Sequence, residues 1–321
     1  MHVDHALILA QPYAGLEAQA RGLAERAGLG SSVHSLQPLP PWSWLPAATW
    51  PTPLRAVAPL GALPDGLVLG VGGVAAAVGA ALRRHGRTVV QIQNPRMRFE
   101  RFDLVVANTH DEIAGPNVLL SRNALHRVGP ALLADARATW APRLAHLPRP
   151  LVAVLVGGSN GRFRLDAATG RALAAQLAGL IRRDRVGLAL TPSRRTAPEV
   201  RAALAEALSP PGAWVWDMQG DNPYFGLLAC ADAIVVTADS VSMVSEAAAT
   251  DVPVLVAELP GRSRRIGLFL RTLQQAGRIR MFDGRLQHWP TAALDDTPAV
   301  AHEMRRRLGI TGPVAPDPVS D

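Results

Sequence analysis

The sequence contains no lysine, so all 33 of its basic residues are arginine. A composition bias accounts for this as well as a selected surface does. Its one cysteine, Cys230, lies in the apolar run LLACADAIV. That excludes a disulfide framework and reads as a core residue rather than a nucleophile. Aromatic residues make up only 5% of the chain, and the arginines are scattered rather than gathered into a stripe with interleaved aromatics. Nucleic-acid binding is therefore not expected, despite a net charge of +7. No apolar run approaches the roughly 18–20 residues needed to span a bilayer. The opening MHVDHALILA is too short and too uncharged for a signal peptide. These absences lead to the expectation of a cytoplasmic protein, with peripheral attachment at the inner membrane face as the alternative. Its charge suits an anionic small molecule or an anionic membrane surface.

What is present is an alternation of strand and helix signals. At 321 residues and 48% apolar composition, the chain suits two cores better than one. β-branched and leucine-rich runs predict strands at 5–10, 32–36, 67–71, 88–92 and 103–107. A second series follows at 151–156, 186–191, 213–216, 234–237 and 252–256. Helical spacing fills the gaps at 15–27, 74–84, 131–145, 166–183, 198–208, 223–230 and 240–249, with further helices at 264–275 and 299–307. Such alternation argues a parallel sheet in each half. HLPRP (146–150) reads as a linker, which divides the chain into domains 1–148 and 149–297 and a helix with tail at 298–321. The Pro-rich last dozen residues are expected to fray. Residues 38–59 carry three of the seven tryptophans among many prolines and cannot be regular. They form either a loop packed by Trp42, Trp44 and Trp50 or an exposed apolar lip.

Unusual residues fall where the strands end, which is where open parallel sheets bind ligands. In the first half these are Gly70, Gly72 and Gly73, then Gln93, Asn94 and Arg96, then His110 and Asp111. In the second they are Gly157, Gly158, Ser159, Asn160 and Gly161, then Ser193, Arg194, Arg195 and Thr196. Asp221, Asn222 and Tyr224 come next, and Asp239, Ser240 and Ser242 last. Any one cluster is ordinary turn chemistry; seven such clusters in register at strand ends point to two rims around a cleft. VAVLVGGSNGRF is neither a dinucleotide fingerprint nor a P-loop lysine motif. With Arg162, Arg164, Arg194 and Arg195 nearby, it suits a diphosphate held by backbone N–H groups and guanidinium forks.

The most informative stretch is AIVVTADSVSMVSEAAATDVPVLVA (233–257), a strand, a hydroxyl-rich turn, a small-residue helix and a second strand. A helix N-terminus attracts anions. Asp239, Ser242 and Glu246 share one helical face by their spacing. A well-capped surface helix is one reading. The other is a pocket with serines on phosphate and Glu246 on a ribose diol. The stretch alone does not choose.

Several motifs together resemble one family. They are QIQNPR (91–96), THDE (109–112), GPNVLLSRNALHRV (115–128), SRRT (193–196), DNPYFGLLACADAIVVTADSVSMVSEA (221–247) and RSRRIGLFLRTL (262–273). They look like the mitochondrial-fission "elongated mitochondria" family, in particular its many bacterial members, over most of residues 5–285. That family in turn resembles GT-B glycosyltransferases, including the N-acetylglucosaminyl transferase that makes lipid II. LVLGVGGVAAAVGA, VVQIQNP, VLVGGSNG and the Ser-rich helix ending in Glu246 follow the order of that enzyme's blocks. The resemblance implies an α/β, GT-B-like fold of two Rossmann-like domains facing a cleft, with a nucleotide-sugar site in the second half. Carried over by position, Glu246 would hold the ribose. Ser240, Ser242 and the Gly157–Gly161 loop would hold the diphosphate. Two departures stand out: Gly15 is followed by Leu16 where the family usually has a polar residue, and the lipid II enzyme's amino-terminal Gly-Gly-His loop is absent. Acceptor-side chemistry is therefore not transferred.

On that footing the expected activity is transfer of a sugar from a nucleoside-diphosphate donor, uridine favoured, with no metal and no cofactor. The acceptor is unknown, with a lipid or envelope molecule as one option. Arg194 or Arg195 and the helix N-terminus would meet the leaving-group charge. Ser193, Thr196, Asn222 and Asp239 complete the expected donor side; Gly72, Gly73, Gln93, Asn94 and Arg96 form the acceptor side. His110 is the candidate base, supported by Asp111 or Gln93; alternatively, His110 and Asp111 only fix a loop. A sugar-nucleotide epimerase and a non-catalytic recruiter are the competing functions.

Overall fold

The runs LVLGV and LVAVLV are buried along their whole length, as strands inside a parallel sheet covered on both faces must be. They belong to different sheets. The computed structural model describes residues 3–208 and 212–311. The first series of elements is β1 (His5–Ala10), α1 (Ala14–Arg26), β2 (Gly30–Ser35), β3 (Leu67–Val71), α2 (Gly72–Arg84), β4 (Val89–Ile92), β5 (Leu104–Asn108) and β6 (Val118–Ser121). The second begins with α3 (Pro130–Leu144), β7 (Leu151–Val156), α4 (Ala167–Asp184), β8 (Gly187–Pro192), α5 (Pro198–Ala207) and β9 (Ala213–Val215). It continues with α6 (Tyr224–Cys230), β10 (Ala233–Thr237), α7 (Val241–Ala248), β11 (Val254–Ala257), α8 (Arg264–Gln275) and β12 (Ile279–Met281), and α9 (Thr297–Leu308) follows.

Two six-stranded sheets result, ordered β2-β1-β3-β4-β5-β6 and β12-β11-β10-β7-β8-β9, and every pairing is parallel. Each sheet has a separate apolar cluster on either face. The expected doubly wound α/β architecture is thus present in both halves. Strands β6 and β12, which the sequence did not announce, are short edge strands of four and three residues.

The chain divides into two units, one of residues 1–127 with 295–321 and one of 128–294. The boundary expected at 148 lies earlier because α3 packs on α6 of the second unit. Gly226 approaches Trp140 so closely that a Cβ there would stand 2.2 Å from the indole Cγ. Arg143 of α3 also reaches Asp221 at 2.9 Å. The segment from 298 was expected to stand apart. Instead α9 packs on the first unit, where Arg305 donates to the Ala27 carbonyl and the preceding Asp296 pairs with Arg122. The expected fraying falls on residues that, from 312 on, lie outside those described.

Residues 38–59 form three single 3-10 turns, at Trp42–Trp44, Ala47–Thr49 and Pro53–Arg55. Each of the two expected readings holds for part of the loop. Trp50 is buried and donates from its indole to the Trp42 carbonyl at 3.1 Å. Trp44 remains 77% exposed, with Leu39 and Leu45 also exposed. No helix among the described residues is long and apolar enough to cross a membrane.

Candidate functional site

In the second sheet the chain runs outward from β7 through β8 to β9, and outward the other way from β10 through β11 to β12. The point where that order reverses, beyond the carboxyl ends of β7 and β10, is where such sheets bind ligands. The loop leaving β7 is Gly157–Gly161, and the turn leaving β10 holds Ala238, Asp239 and Ser240. The topology therefore brings together the two clusters that the sequence singled out.

Asp239 organises this point from inside. Its carboxylate is fully buried and accepts from the Thr237 hydroxyl at 2.7 Å, the Gly158 N–H at 3.0 Å and the Arg195 guanidinium at 2.8 Å. Arg195 also donates to the Gly158 carbonyl at 3.1 Å. The close approach demands glycine: a Cβ on Gly157 would sit 2.3 Å from the Asp239 carboxylate, and one on Gly158 would sit 2.2 Å from the Arg195 carbonyl oxygen. Asn160 donates to the Asp239 carbonyl at 3.2 Å and accepts from the N–H groups of Arg162 and Phe163. The Ser159 hydroxyl exchanges hydrogen bonds with the Leu165 backbone. Ser193 and Thr196 both donate to the Gly157 carbonyl. These residues do gather as expected, but their polar atoms brace the loops on one another. Asp239 in particular fills the arginine-and-N–H cradle that the sequence reading gave to phosphate. Gly161 faces open space, and Arg194 is exposed.

Helix α7 begins at this point. Ser240 caps it, accepting from the Met243 N–H at 3.4 Å. One of the free N–H groups at its start is thus satisfied; the others carry the positive end of the helix dipole. Ser242 is half-buried, and Glu246, one turn further, is buried. The Tyr224 hydroxyl donates to the Glu246 carboxylate. Burial pushes the Glu246 carboxyl up to about 7, with the tyrosine hydrogen bond opposing. Burial, and then the neighbouring carboxylate, push the Tyr224 phenol well above its ordinary value. Asn222 is exposed and accepts from the Tyr224 N–H at 3.0 Å, shaping the turn into α6.

Sequence reasoning missed what holds the other end of α7. Arg278, 2% exposed, donates to the carbonyls of Ala247, Ala248, Thr250 and Val252. A cation at a helix C-terminus also suits the dipole. Burial lowers the guanidinium to about 10, with Asp251 opposing. No local signal marks this arginine, since its partners lie about thirty residues earlier in the chain.

In the first unit, Gly72 opens α2 with a φ of 84°, a conformation that favours glycine, and Gly73 faces open space. Gln93 and Arg96 hold positive φ angles of 71° and 55° at the end of β4, which non-glycine residues rarely adopt. Asn94 accepts from the Arg96 N–H at 2.9 Å, and Gln93 donates to the Gln19 side chain at 3.3 Å. His110 was expected on an open rim; it is buried, 3% exposed, in a 3-10 turn directly after β5. Asp111 accepts from the Asn108 N–H at 3.3 Å and so caps that turn. Asp111 thereby takes the loop-fixing role that was the alternative reading of the pair.

A cavity of about 250 Å³ lies elsewhere in the second unit, among Trp140, Leu144, Trp214 and Trp216. Arg143 stands 4.7 Å over the Trp140 ring and pairs with Asp221, so the cavity already has its own cation.

Comparison with known proteins adds the following. The family model described as "Mitochondrial fission ELM1" matches residues 14–308. The mitochondrial fission protein ELM1 of Arabidopsis thaliana is 33% identical over 251 residues, covering 70% of this chain and 58% of that protein. The chain thus spans less than two thirds of that relative's length. Among solved structures, a UDP-glucosyltransferase from Polygonum tinctorium capable of glucosylating indoxyl aligns with a TM-score of 0.53 at 12% identity, over 95% of this chain and 89% of that one. UDP-GlcNAc 2-epimerase from Neisseria meningitidis, bound to UDP-GlcNAc, aligns with a TM-score of 0.51 at 11% identity, over 94% of this chain and 100% of that one. At such identities the likeness shows the fold, which is GT-B-like.

Proposed function

The chain belongs to the mitochondrial fission ELM1 family, and from that premise we propose that its second unit binds a nucleoside-diphosphate sugar, uridine favoured, and transfers the sugar to a lipid or envelope acceptor without a metal. One observation carries the reading: Glu246, a buried carboxyl on α7, sits one turn beyond Ser242 on the helix that starts at the switch point. A buried carboxylate there is suited to accept hydrogen bonds from a ribose diol, and the start of α7 is suited to the diphosphate. Two proteins of similar fold are described by UDP-linked sugars, which favours uridine.

In the transfer, the bond from the anomeric carbon to the diphosphate oxygen breaks as the acceptor oxygen bonds to that carbon. The acceptor's proton passes to a base, and the diphosphate leaves with the electron pair. Arg195 is engaged with Asp239, so Arg194, which makes no ion pair among the described residues, is the cation for the leaving group. The exposed Trp44, Leu39 and Leu45 of the first unit give this reading a peripheral contact with a membrane that presents the acceptor.

A second reading, a non-catalytic recruiter, is favoured by Asp239. Its carboxylate occupies the Gly158 N–H and Arg195, two donors that a diphosphate would otherwise use.

Thermal denaturation with and without UDP separates the two. At a hundred times its Kd, a ligand stabilises the fold by about 2.7 kcal/mol. The donor-site reading expects that shift in the wild type and its loss in Glu246→Gln. Equal shifts in both proteins would remove the ribose assignment, and no shift with UDP or UDP-GlcNAc would leave the recruiter.

A further inference from the structure

The Glu246 carboxylate already has a hydroxyl on it. We propose that Tyr224 gates the nucleoside site, its phenol hydroxyl standing in for the ribose hydroxyl until a ligand displaces it. The inference rests on the donor-site reading above and adds to it a residue that sets ligand affinity.

The two partners are held very differently. Glu246 lies in the last turns of α7, whose start is capped by Ser240 and whose end is clamped by Arg278. Its backbone is fixed at both ends. Tyr224 is the first residue of α6, a helix of seven residues, and follows a loop in which Asp217, Gln219, Gly220, Asp221 and Asn222 are exposed. Met218 and Gly220 in that loop both have positive φ angles. The Tyr224 ring is half-buried and meets Phe225 edge-on at 5.4 Å. Of the two partners, Tyr224 is the one on the shorter helix and beside the exposed loop, so its phenol is the group displaced. A buried carboxylate also needs a donor in either state, because leaving it bare is costly. Exchange of the phenol for a ribose hydroxyl preserves the hydrogen bond. Binding therefore proceeds against a competitor built into the chain, which lowers apparent affinity without abolishing the site.

The test is calorimetric titration of UDP and of 2′,3′-dideoxyuridine diphosphate into the wild type, Tyr224→Phe and Glu246→Gln. Removing one hydrogen bond to a charged group corresponds to about a tenfold change in Kd. Tyr224→Phe is expected to bind UDP about tenfold more tightly than the wild type and to show no gain for the dideoxy ligand, which has no diol to fill the vacancy. Tyr224→Leu serves as the second variant if the phenylalanine protein does not fold, with the same expectation. UDP binding to the wild type with an unchanged or weaker affinity in the Tyr224 variants would overturn the gate and leave the donor site standing. A gain of the same size for the dideoxy ligand would also overturn it. If none of the proteins binds UDP, the gate falls together with the donor-site reading.

Discussion

Arg278 donates from its Nε to the carbonyl of Ala248 at 2.8 Å, so the last carbonyls of α7 are satisfied by a side chain about thirty residues away in sequence. The same guanidinium reaches Thr250 at 2.6 Å and Val252 at 3.0 Å. Replacing it by methionine keeps the bulk and leaves several buried carbonyls without donors. Arg278→Met is expected to cost about 3 kcal/mol, measured by urea denaturation. Arg278→Lys, which keeps the charge but loses the planar fork, should cost less, though still a measurable amount.

Glu246 makes stability depend on pH. Its folded value of about 7 lies above the ordinary 4.5, so the folded state holds the proton more tightly than the unfolded chain. The stabilisation is therefore fullest below about 4.5, is lost as pH rises through the window to about 7, and is flat beyond. The stability difference between wild type and Glu246→Gln should fall by roughly 3 kcal/mol across that window. Urea midpoints at four pH values check this, and a flat or rising difference contradicts it.

Asp239 should behave as a brace. Asp239→Ala leaves the Gly158 N–H without its partner and frees Arg195, which is half-exposed and tolerates the loss better. The expected cost is about 2 kcal/mol. Inorganic pyrophosphate should raise the melting temperature of the variant more than that of the wild type, because the cradle is then open to an anion.

Gly226 has no room for a methyl group against Trp140. Gly226→Ala should force α3 and α6 apart, at a cost of about 1–3 kcal/mol. Tryptophan fluorescence should shift with it, since Trp140 is 8% exposed in the intact packing.

Trp44 tests the membrane contact. Because its ring is mostly exposed, Trp44→Ala should change stability by less than about 0.5 kcal/mol. Together with Leu45→Ala it should markedly weaken sedimentation with phosphatidylglycerol vesicles. Unchanged sedimentation would remove peripheral attachment from the proposed function.

Strands β1, β3 and β7 and helix α8 were legible almost to the residue, because two-sided burial and helical spacing mark them directly. Strands β6 and β12 were not, since three or four residues at a sheet edge carry too little periodicity. The unit boundary was misplaced for a different reason. HLPRP resembles a linker locally, but the allegiance of α3 is decided by Gly226 and Asp221, some eighty residues further on. At the candidate site, the glycines, serines and arginines at the ends of β7, β8 and β10 were all found. Which atoms remain free was not legible, because Asp239 reads equally well as a ligand contact or as a brace.

By itself the sequence determined the alternating parallel architecture of each half and the gathering of polar residues at the strand ends. It could do so because buried strands write continuous apolar runs, and turns select small polar residues at fixed places. The tertiary structure decided how those residues are spent: Tyr224 on Glu246, Asp239 on Gly158 and Arg195, Arg278 on the end of α7. Each of these pairings joins segments distant in the chain, and no local pattern records a hydrogen bond that only folding can bring together.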